Sequence, residues 1–435
     1  MPATTDGRSA TRARATPLVA IVWLTLAVAY GLFFSFSVFF VPLIEEFHWS
    51  RGLTAGALSV SAVVQGLGAP LAGVVADRFG SRPVVVGGVL VLGGASMLGA
   101  TIQTPWHLYL YTGVLGALGI VAVGWVPMGL LLSRWFQARR GRVAGIAFSG
   151  MGFGVFVIGP LTQWLIAATS WRAASFLLGL GAVIVLMPLV LWAIRDPTPA
   201  DSPVPRSGAT SPGAGGVESR GPITPGPSAR GRSADATLGD ALRSRAFWAL
   251  FAAHFFTPLA VFPVSTHAVA FALDHGYPPM LAAAAFGTMG LMSSAGRVGF
   301  GFATDRIGGP AAATLSYACT AAGTAALIAL TVLPSAAWLV AFSLLFGLGF
   351  GARGPIITVM ASERFGGRRF GVIYGALNLG NGVGGALGPW FGGAVHDVTG
   401  SYRPAFLAAI AFSACGAACF WLARRPALTI ARGRC

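Results

Sequence analysis

The stretch Gly73-Val-Val-Ala-Asp77-Arg78-Phe79-Gly80 returns 228 residues later as Gly301-Phe-Ala-Thr-Asp305-Arg306-Ile307-Gly308. Both copies close an apolar run long enough to span a bilayer. Ser133-Arg-Trp-Phe136 against Ser362-Glu-Arg-Phe365, and Gly159-Pro160 against Gly388-Pro389, each keep an offset of 229. Three matches at nearly one spacing make the chain two copies of one unit.

Composition says where that unit lives. The 435 residues are 55% hydrophobic and 10% charged, with a mean hydropathy of +0.73. A water-soluble protein carries roughly 25% charged residues. Runs of ~20 apolar residues mark membrane-spanning helices, and twelve are expected, at about 18–44, 52–76, 83–103, 107–134, 142–168, 172–194, 247–272, 279–303, 310–333, 336–362, 371–396 and 403–423. Residues 196–238 mix Pro, Gly, Ser and Arg and cannot bury enough apolar surface to fold. The expected organisation is a six-helix bundle over 1–195, a disordered cytoplasmic linker over 196–238, and a second six-helix bundle over 239–435. Asp240–Arg245 is expected as a short interfacial helix. Gly clusters inside the spans, where small residues let helices approach closely in lipid, for packing or for rocking.

All 29 basic residues are Arg. With both termini in the cytoplasm, 24 Arg fall in cytoplasmic segments, three (Arg51, Arg172, Arg403) in external loops, and Arg297 and Arg353 within spans. That bias satisfies the positive-inside rule. It also accounts for the net charge of +16 without a nucleic-acid partner. Without Lys there is no Walker-type phosphate loop, which excludes an ATP-driven pump built on this chain alone. Arg in place of Lys, with abundant Ala and Gly, fits a GC-rich bacterial genome, so a multi-pass protein of the cell inner membrane is expected. Cys319, Cys415, Cys419 and Cys435 lack metal-ligand or redox spacing, and neither metal nor cofactor is expected. The final Cys heads no prenylation tripeptide. The first apolar run is too long for a cleaved signal and is expected to be retained.

The repeated Gly-x-x-x-Asp-Arg-x-Gly reads as a conformational latch. Gly73 and Gly301 let helices meet. Asp77 and Asp305 sit beside the N-terminus of the next helix, where its dipole favours an acid. Arg78 and Arg306 can pair with a carboxylate or cap a carbonyl. Making and breaking such contacts is a two-state element of the kind alternating access needs. Completed by Gly80 and Ser81-Arg82, the first copy resembles the signature loop between helices 2 and 3 of the major facilitator superfamily; the second copy lacks the last Arg. Phe39-Phe40-Val-Pro42-Leu-Ile-Glu45-Glu46-Phe47-His-Trp49-Ser50-Arg51, Arg134-Trp-Phe136 with Arg139-Arg140-Gly141, and Gly296-Arg297 narrow the resemblance to the bacterial monocarboxylate-transporter and oxalate/formate-exchanger branch. The likeness covers nearly the whole chain apart from linker and termini. It implies an all-α membrane protein with twelve helices in two pseudo-symmetric bundles.

Arg297 lies eight residues, about 12 Å, before Asp305 along its helix, well inside the membrane. An unpaired Arg there costs about 2.5–3.5 kcal/mol or more, so it should face a cavity or a partner. All 13 acids fall in loops, termini or helix ends. A substrate anion is then the natural counter-charge, and a guanidinium fork suits a carboxylate; an ion pair or a carbonyl cap are the structural alternatives. In the resembling family the Arg at this place binds the substrate carboxylate. Arg353 is a second anion ligand or a plug for carbonyls freed by Pro355. The oxalate-exchanging relatives carry a Lys in helix 11. Here Asn378 and Asn381 share a face with Tyr374, to bond a substrate hydroxyl or keto group or to link helices. Tyr30 and Trp125 line the cavity or pack; Gln65, Ser293 and Ser294 are further candidates.

For protons, the resemblance points to His267-Ala-Val-Ala-Phe-Ala-Leu-Asp274-His-Gly276 at the end of helix 7, where the branch's Asp takes part in proton transfer. Asp274 and His267 are the expected pair, with His254 behind them; an external cap and an interfacial His are the plainer alternative. Gly384–Gly393 matches a drug/proton-antiporter pattern, but that pattern belongs to helix 5, where this chain has Val155 in place of Gly. The expectation is a secondary active transporter of small organic anions, chiefly monocarboxylates, working by proton symport or anion exchange as a monomer in the bilayer. Drug efflux and a transporter-like sensor are the alternatives; the first wants a buried carboxylate and the second a signalling domain. No paired catalytic carboxylates, metal cluster or activated nucleophile marks an enzyme.

Overall fold

The computed structural model describes residues 6–136, 140–194, 237–365 and 370–423, and their regular structure is helical with no strand. In the first bundle, α1 (Asp6–Phe34) and α2 (Phe36–Phe47) form one span, followed by α3 (Arg51–Phe79) and α4 (Ser81–Gly99). The fourth span is composite: α5 (Pro105–Leu108), a π-helical stretch (Tyr109–Gly116), α6 (Ala117–Val123) and α7 (Trp125–Trp135). Then come α8 (Arg140–Ala168) and α9 (Trp171–Ala193). The second bundle opens with the short α10 (Leu238–Leu242) and continues with α11 (Arg245–Asp274), α12 (Pro279–Ile307) and α13 (Gly309–Ala329). It ends with α14 (Ala336–Phe350) and α15 (Arg353–Phe365), α16 (Phe370–Thr399) and α17 (Arg403–Leu422).

Twelve spans in two sets of six are therefore present. Ten are long and apolar enough by composition to cross a membrane. The other two, α12 and α16, are 29 and 30 residues long and more polar, carrying Arg297 in one case and Asn378 with Asn381 in the other. The expected interfacial helix starts earlier than Asp240, because Thr237 and Asp240 form a reciprocal cap at its N-terminus. Residues 196–236 of the expected linker lie outside the described residues.

Two kinds of backbone feature repeat with the sequence. Gly80 and Gly308 close the repeated motif at φ +88° and +82°, both with extended ψ, a region that is essentially glycine's alone. The motif ends in Gly for that reason. The second kind was not anticipated from the sequence. Spans 4 and 10 are each broken, so that α7 begins at Trp125 and α15 at Arg353, again 228 apart. Each break is followed by a proline, Pro127 or Pro355, which withholds the N–H the preceding turn would use. Span 1 is interrupted at Ser35, whose hydroxyl donates to Leu32 O at 2.7 Å.

Each bundle has its own core, around Leu26, Val89 and Ile120 in the first and Phe247, Tyr317 and Phe420 in the second. A further cluster, including Phe40, Val264 and Phe406, crosses between them at the Arg51 end. In lipid such cores gain from dense van der Waals contact rather than from escape from water. The bundles meet through α3 on α16 and α8 on α12, which are repeat-related pairs. Described contacts run from Arg51 down to the level of Arg297. Trp390 N donates to Ser59 Oγ at 3.2 Å, and Ser294 Oγ donates to Ser149 O at 2.8 Å.

Gly308→Ala should lower the melting temperature in detergent, because an ε-region backbone costs a side-chain-bearing residue about 1–3 kcal/mol. Gly301→Ala, seven residues earlier in helix with nothing within 4 Å of the added Cβ, should leave it unchanged or slightly raised. Equal effects would contradict the conformational account.

Candidate functional site

Arg297 projects from the face of α12 that meets α8. Its Nη1 donates to Phe148 O at 3.2 Å and approaches Met151 Sδ at 3.7 Å, while Nη2 reaches Ser293 Oγ at 3.4 Å. These contacts are long and uncharged. Among the described residues no carboxylate pairs with it; the two ion pairs there are Arg51–Asp274 and Arg172–Glu46. Its guanidinium carbon lies 5.6 Å from the Trp125 ring centroid. A cation–π contact of that kind contributes about 0.5–2 kcal/mol, below the cost of about 2.5–3.5 kcal/mol for the charge at this depth. Gly351, at the break in span 10, makes room for the side chain: a Cβ there would stand 2.7 Å from Arg297 Nε.

Both bundles surround a small cavity of about 90 Å³ here. Tyr30, Trp125 and Met151 come from the first, Ser293, Arg297 and Phe350 from the second. Like small-molecule sites in general, this cavity is mostly apolar with a few placed polar groups. Both helix breaks border it. Trp125 opens α7, Phe350 ends α14, and the Tyr30 hydroxyl lies 3.3 Å from where a Cβ on Gly124 would sit. A second cavity of about 80 Å³ lies in the first bundle between Phe36, Leu92, Tyr111 and Trp171. No charged side chain lines it, so the cavity at Arg297 is the one suited to an ion.

The structure thus gathers Arg297, Tyr30 and Trp125 and leaves the other expected ligands elsewhere. Arg353 is buried in the second bundle, its guanidinium carbon 4.1 Å from the Tyr317 ring centroid. Its Nη2 donates to Ser316 O at 3.3 Å and to Thr320 Oγ1, so it serves α13 rather than the cavity or the turn before Pro355. The Tyr374 hydroxyl shares a 2.6 Å hydrogen bond with Thr358, and Asn378 and Asn381 are exposed on α16 outside the cavity lining.

Asp274 and His267 stand apart from Arg297, at the Arg51 end. Asp274 takes both Arg51 Nη atoms at 2.6 and 2.9 Å. His267 is fully buried, with Nε2 3.0 Å from Pro389 O and its ring 4.9 Å from that of Tyr402. His254 is buried beside Tyr374. In the repeated motif, Arg82 donates to Leu191 O at 2.7 Å within its own bundle, and Arg78 lies over Phe79. A Cβ added at Gly73 would make an ordinary 3.4 Å contact with Val126 of its own bundle, and one added at Gly301 would meet nothing within 4 Å, so neither glycine marks a close helix approach. Asp305 and Arg306 are exposed, and the side chain of Asp77 lies outside the described residues.

Sequence reasoning missed Met151, Phe350 and the glycine seat at Gly351. The signal was present: Gly124-Trp-Val-Pro127 and Ala352-Arg-Gly-Pro355 place small residues and prolines at nearly the same point of the repeat.

Comparison with known proteins agrees with the helical membrane fold. The sequence pattern of the Major Facilitator Superfamily matches residues 22–389. The chain is 28% identical over 393 residues to monocarboxylate transporter 13 of Bos taurus, covering 90% of this chain and 84% of that one. It is 29% identical over 390 residues to monocarboxylate transporter 12 of Homo sapiens, covering 85% and 73%. A bacterial homologue of the human lysosomal transporter Spinster has a similar solved structure, with a TM-score of 0.68 at 15% identity and coverage of 94% and 97%. The nucleoside transporter NupG is similar too, with a TM-score of 0.68 at 14% identity and coverage of 94% and 100%. The chain belongs to the Major Facilitator Superfamily, and it is a membrane solute transporter rather than an enzyme.

Arg297→Met removes a charge that this fold does not compensate. Its melting temperature in detergent should equal or exceed that of the unaltered protein. A fall of several degrees would mean that the neutral contacts of Arg297 stabilise the fold more than its charge costs.

Proposed function

We propose that this transporter carries small organic anions, chiefly monocarboxylates, by alternating access, as a proton symporter or an anion exchanger. One observation carries the reading: Arg297 borders a cavity shared by both bundles, and no described carboxylate pairs with it. A substrate carboxylate would take the guanidinium fork with two parallel hydrogen bonds. The Tyr30 hydroxyl is placed to bond a second polar group, and Phe350 and Met289 form apolar walls for a short carbon chain. The relatives named as monocarboxylate transporters support the same class.

The Arg bias orients the chain with both termini in the cytoplasm, in the inner membrane of a bacterium, with the Arg51 end outside. We assign proton handling to Asp274 and His267: a proton on Asp274 would weaken its hold on Arg51 and so tie proton uptake to movement at the outer end. The repeated Asp-Arg motifs would latch the opposite end when it closes. The working unit is a monomer.

Proteoliposomes given labelled lactate, pyruvate, formate and oxalate, with and without a pH gradient, test the reading. At least one monocarboxylate should accumulate. Arg297→Ala should reduce kcat/KM at least about 100-fold, the loss of two charge-assisted hydrogen bonds, while the protein remains in the membrane. Arg297→Lys should be impaired, because a point charge does not replace the fork. Normal uptake by Arg297→Ala would remove the substrate assignment. For Asp274→Asn, loss of pH-driven accumulation with exchange retained is expected; unchanged accumulation would reject its role.

A further inference from the structure

The N-terminus of α3, in the first bundle, is capped from the second. Asp397, near the end of α16, accepts Arg51 N through Oδ1 and Gly52 N through Oδ2, both at 2.8 Å. The helix's own cap, Ser50, takes only the next donor, Leu53 N, at 3.2 Å. The first N–H groups of a helix have no partner within it, and a carboxylate at that end is favoured by the dipole. Here the carboxylate arrives across the boundary between bundles. Gly393 of α16 crosses so close that a Cβ on it would stand 2.5 Å from the Arg51 carbonyl, so the seat admits no side chain at that point.

The side chain of Arg51 completes the contact. It holds Asp274 with both Nη atoms and donates from Nη1 to the Tyr402 hydroxyl at 2.7 Å. One turn of the first bundle is thereby held by three residues of the second.

The repeat-related crossing is built without these groups. Ala168 stands where Asp397 does, and Pro279, which has no N–H to cap, where Arg51 does. The clasp is therefore an addition to the duplicated frame and not a consequence of it. A second ion pair at the same end, Glu46 with Arg172 and the Trp171 indole, lies wholly within the first bundle and serves as an internal control.

We propose that Asp397 is an inter-bundle cap, a positioning residue that holds the Arg51 end of the carrier shut and so sets how often the empty protein opens there. The cap itself stands on geometry alone; which side of the membrane it faces rests on the orientation given above. When a binding-competent state is fractionally populated, apparent affinity falls by that fraction. Loosening the cap should therefore raise the open population and lower the KM for external substrate by the same factor, leaving kcat little changed.

The test uses nitroxide labels at Gln103→Cys and Leu333→Cys, in full-length protein with its native cysteines replaced, in substrate-free proteoliposomes. Pulsed electron spin distances across that end should show a longer-distance population in Asp397→Ala at least about threefold above the parent. Asp397→Asn, which keeps one acceptor oxygen, should fall between, and Glu46→Gln should match the parent. If Asp397→Ala does not fold, Asp397→Asn carries the test, with the longer-distance population expected to rise. Unchanged distances in the folded Asp397 variants, or an equal shift in Glu46→Gln, would overturn the proposal. Because no substrate is needed for the distances, failure of the organic-anion reading would leave this result standing; it would remove only the KM comparison.

Discussion

A guanidinium surrounded by neutral atoms at mid-membrane depth sets the terms for the rest of this molecule. Arg297 has a backbone carbonyl, a thioether, a hydroxyl and an indole face within reach, and no described acid. Water entering from an open end can solvate it. If both ends closed on an empty cavity, that water would be excluded and the full cost of a charge in hydrocarbon would return. A bound carboxylate turns the same closure into the sealing of an ion pair. On the proposed reading the solute lowers the cost of the closed state, which favours anion exchange over return of the empty carrier.

The duplicated frame does not duplicate the chemistry. Repeat-related positions share backbone conformation: Gly80 with Gly308, and the breaks that begin α7 and α15. Their side chains differ. Trp125 and Arg353 occupy one repeat position, yet Trp125 faces Arg297 across the cavity while Arg353 turns into its own bundle against Tyr317. Ala69 stands where Arg297 does. Symmetry supplies two matched helix crossings between the bundles. Asymmetry supplies a single charged seat on one side of the cavity and a single carboxylate cap at one end.

Much of this was legible in the amino-acid order, for physical reasons that can be named. The spans follow from apolar length, and the two bundles from the repeat. The motif glycines follow from a backbone conformation other residues resist. The depth of Arg297 could be counted along its helix, and the absence of mid-span acids made its lack of an acid partner among the described residues readable. What could not be read was direction around the helix axis. Arg353 is as deep as a ligand should be, but its azimuth is set by packing against α13. Asn378 and Asn381 share a face, yet which face meets the cavity depends on how α16 crosses α3. The capping of Arg51 by Asp397 joins positions 346 residues apart, and local pattern carries no trace of such an approach.

The most direct test of the central claim is a binding measurement on purified protein, comparing a carboxylate with its uncharged amide of nearly the same shape, such as lactate against lactamide. Isothermal calorimetry should show saturable binding of the acid anion to the unaltered protein, none of the amide, and none of either to Arg297→Met. Equal binding of acid and amide, or acid binding retained in Arg297→Met, would mean that the unpaired guanidinium is not the seat of the solute.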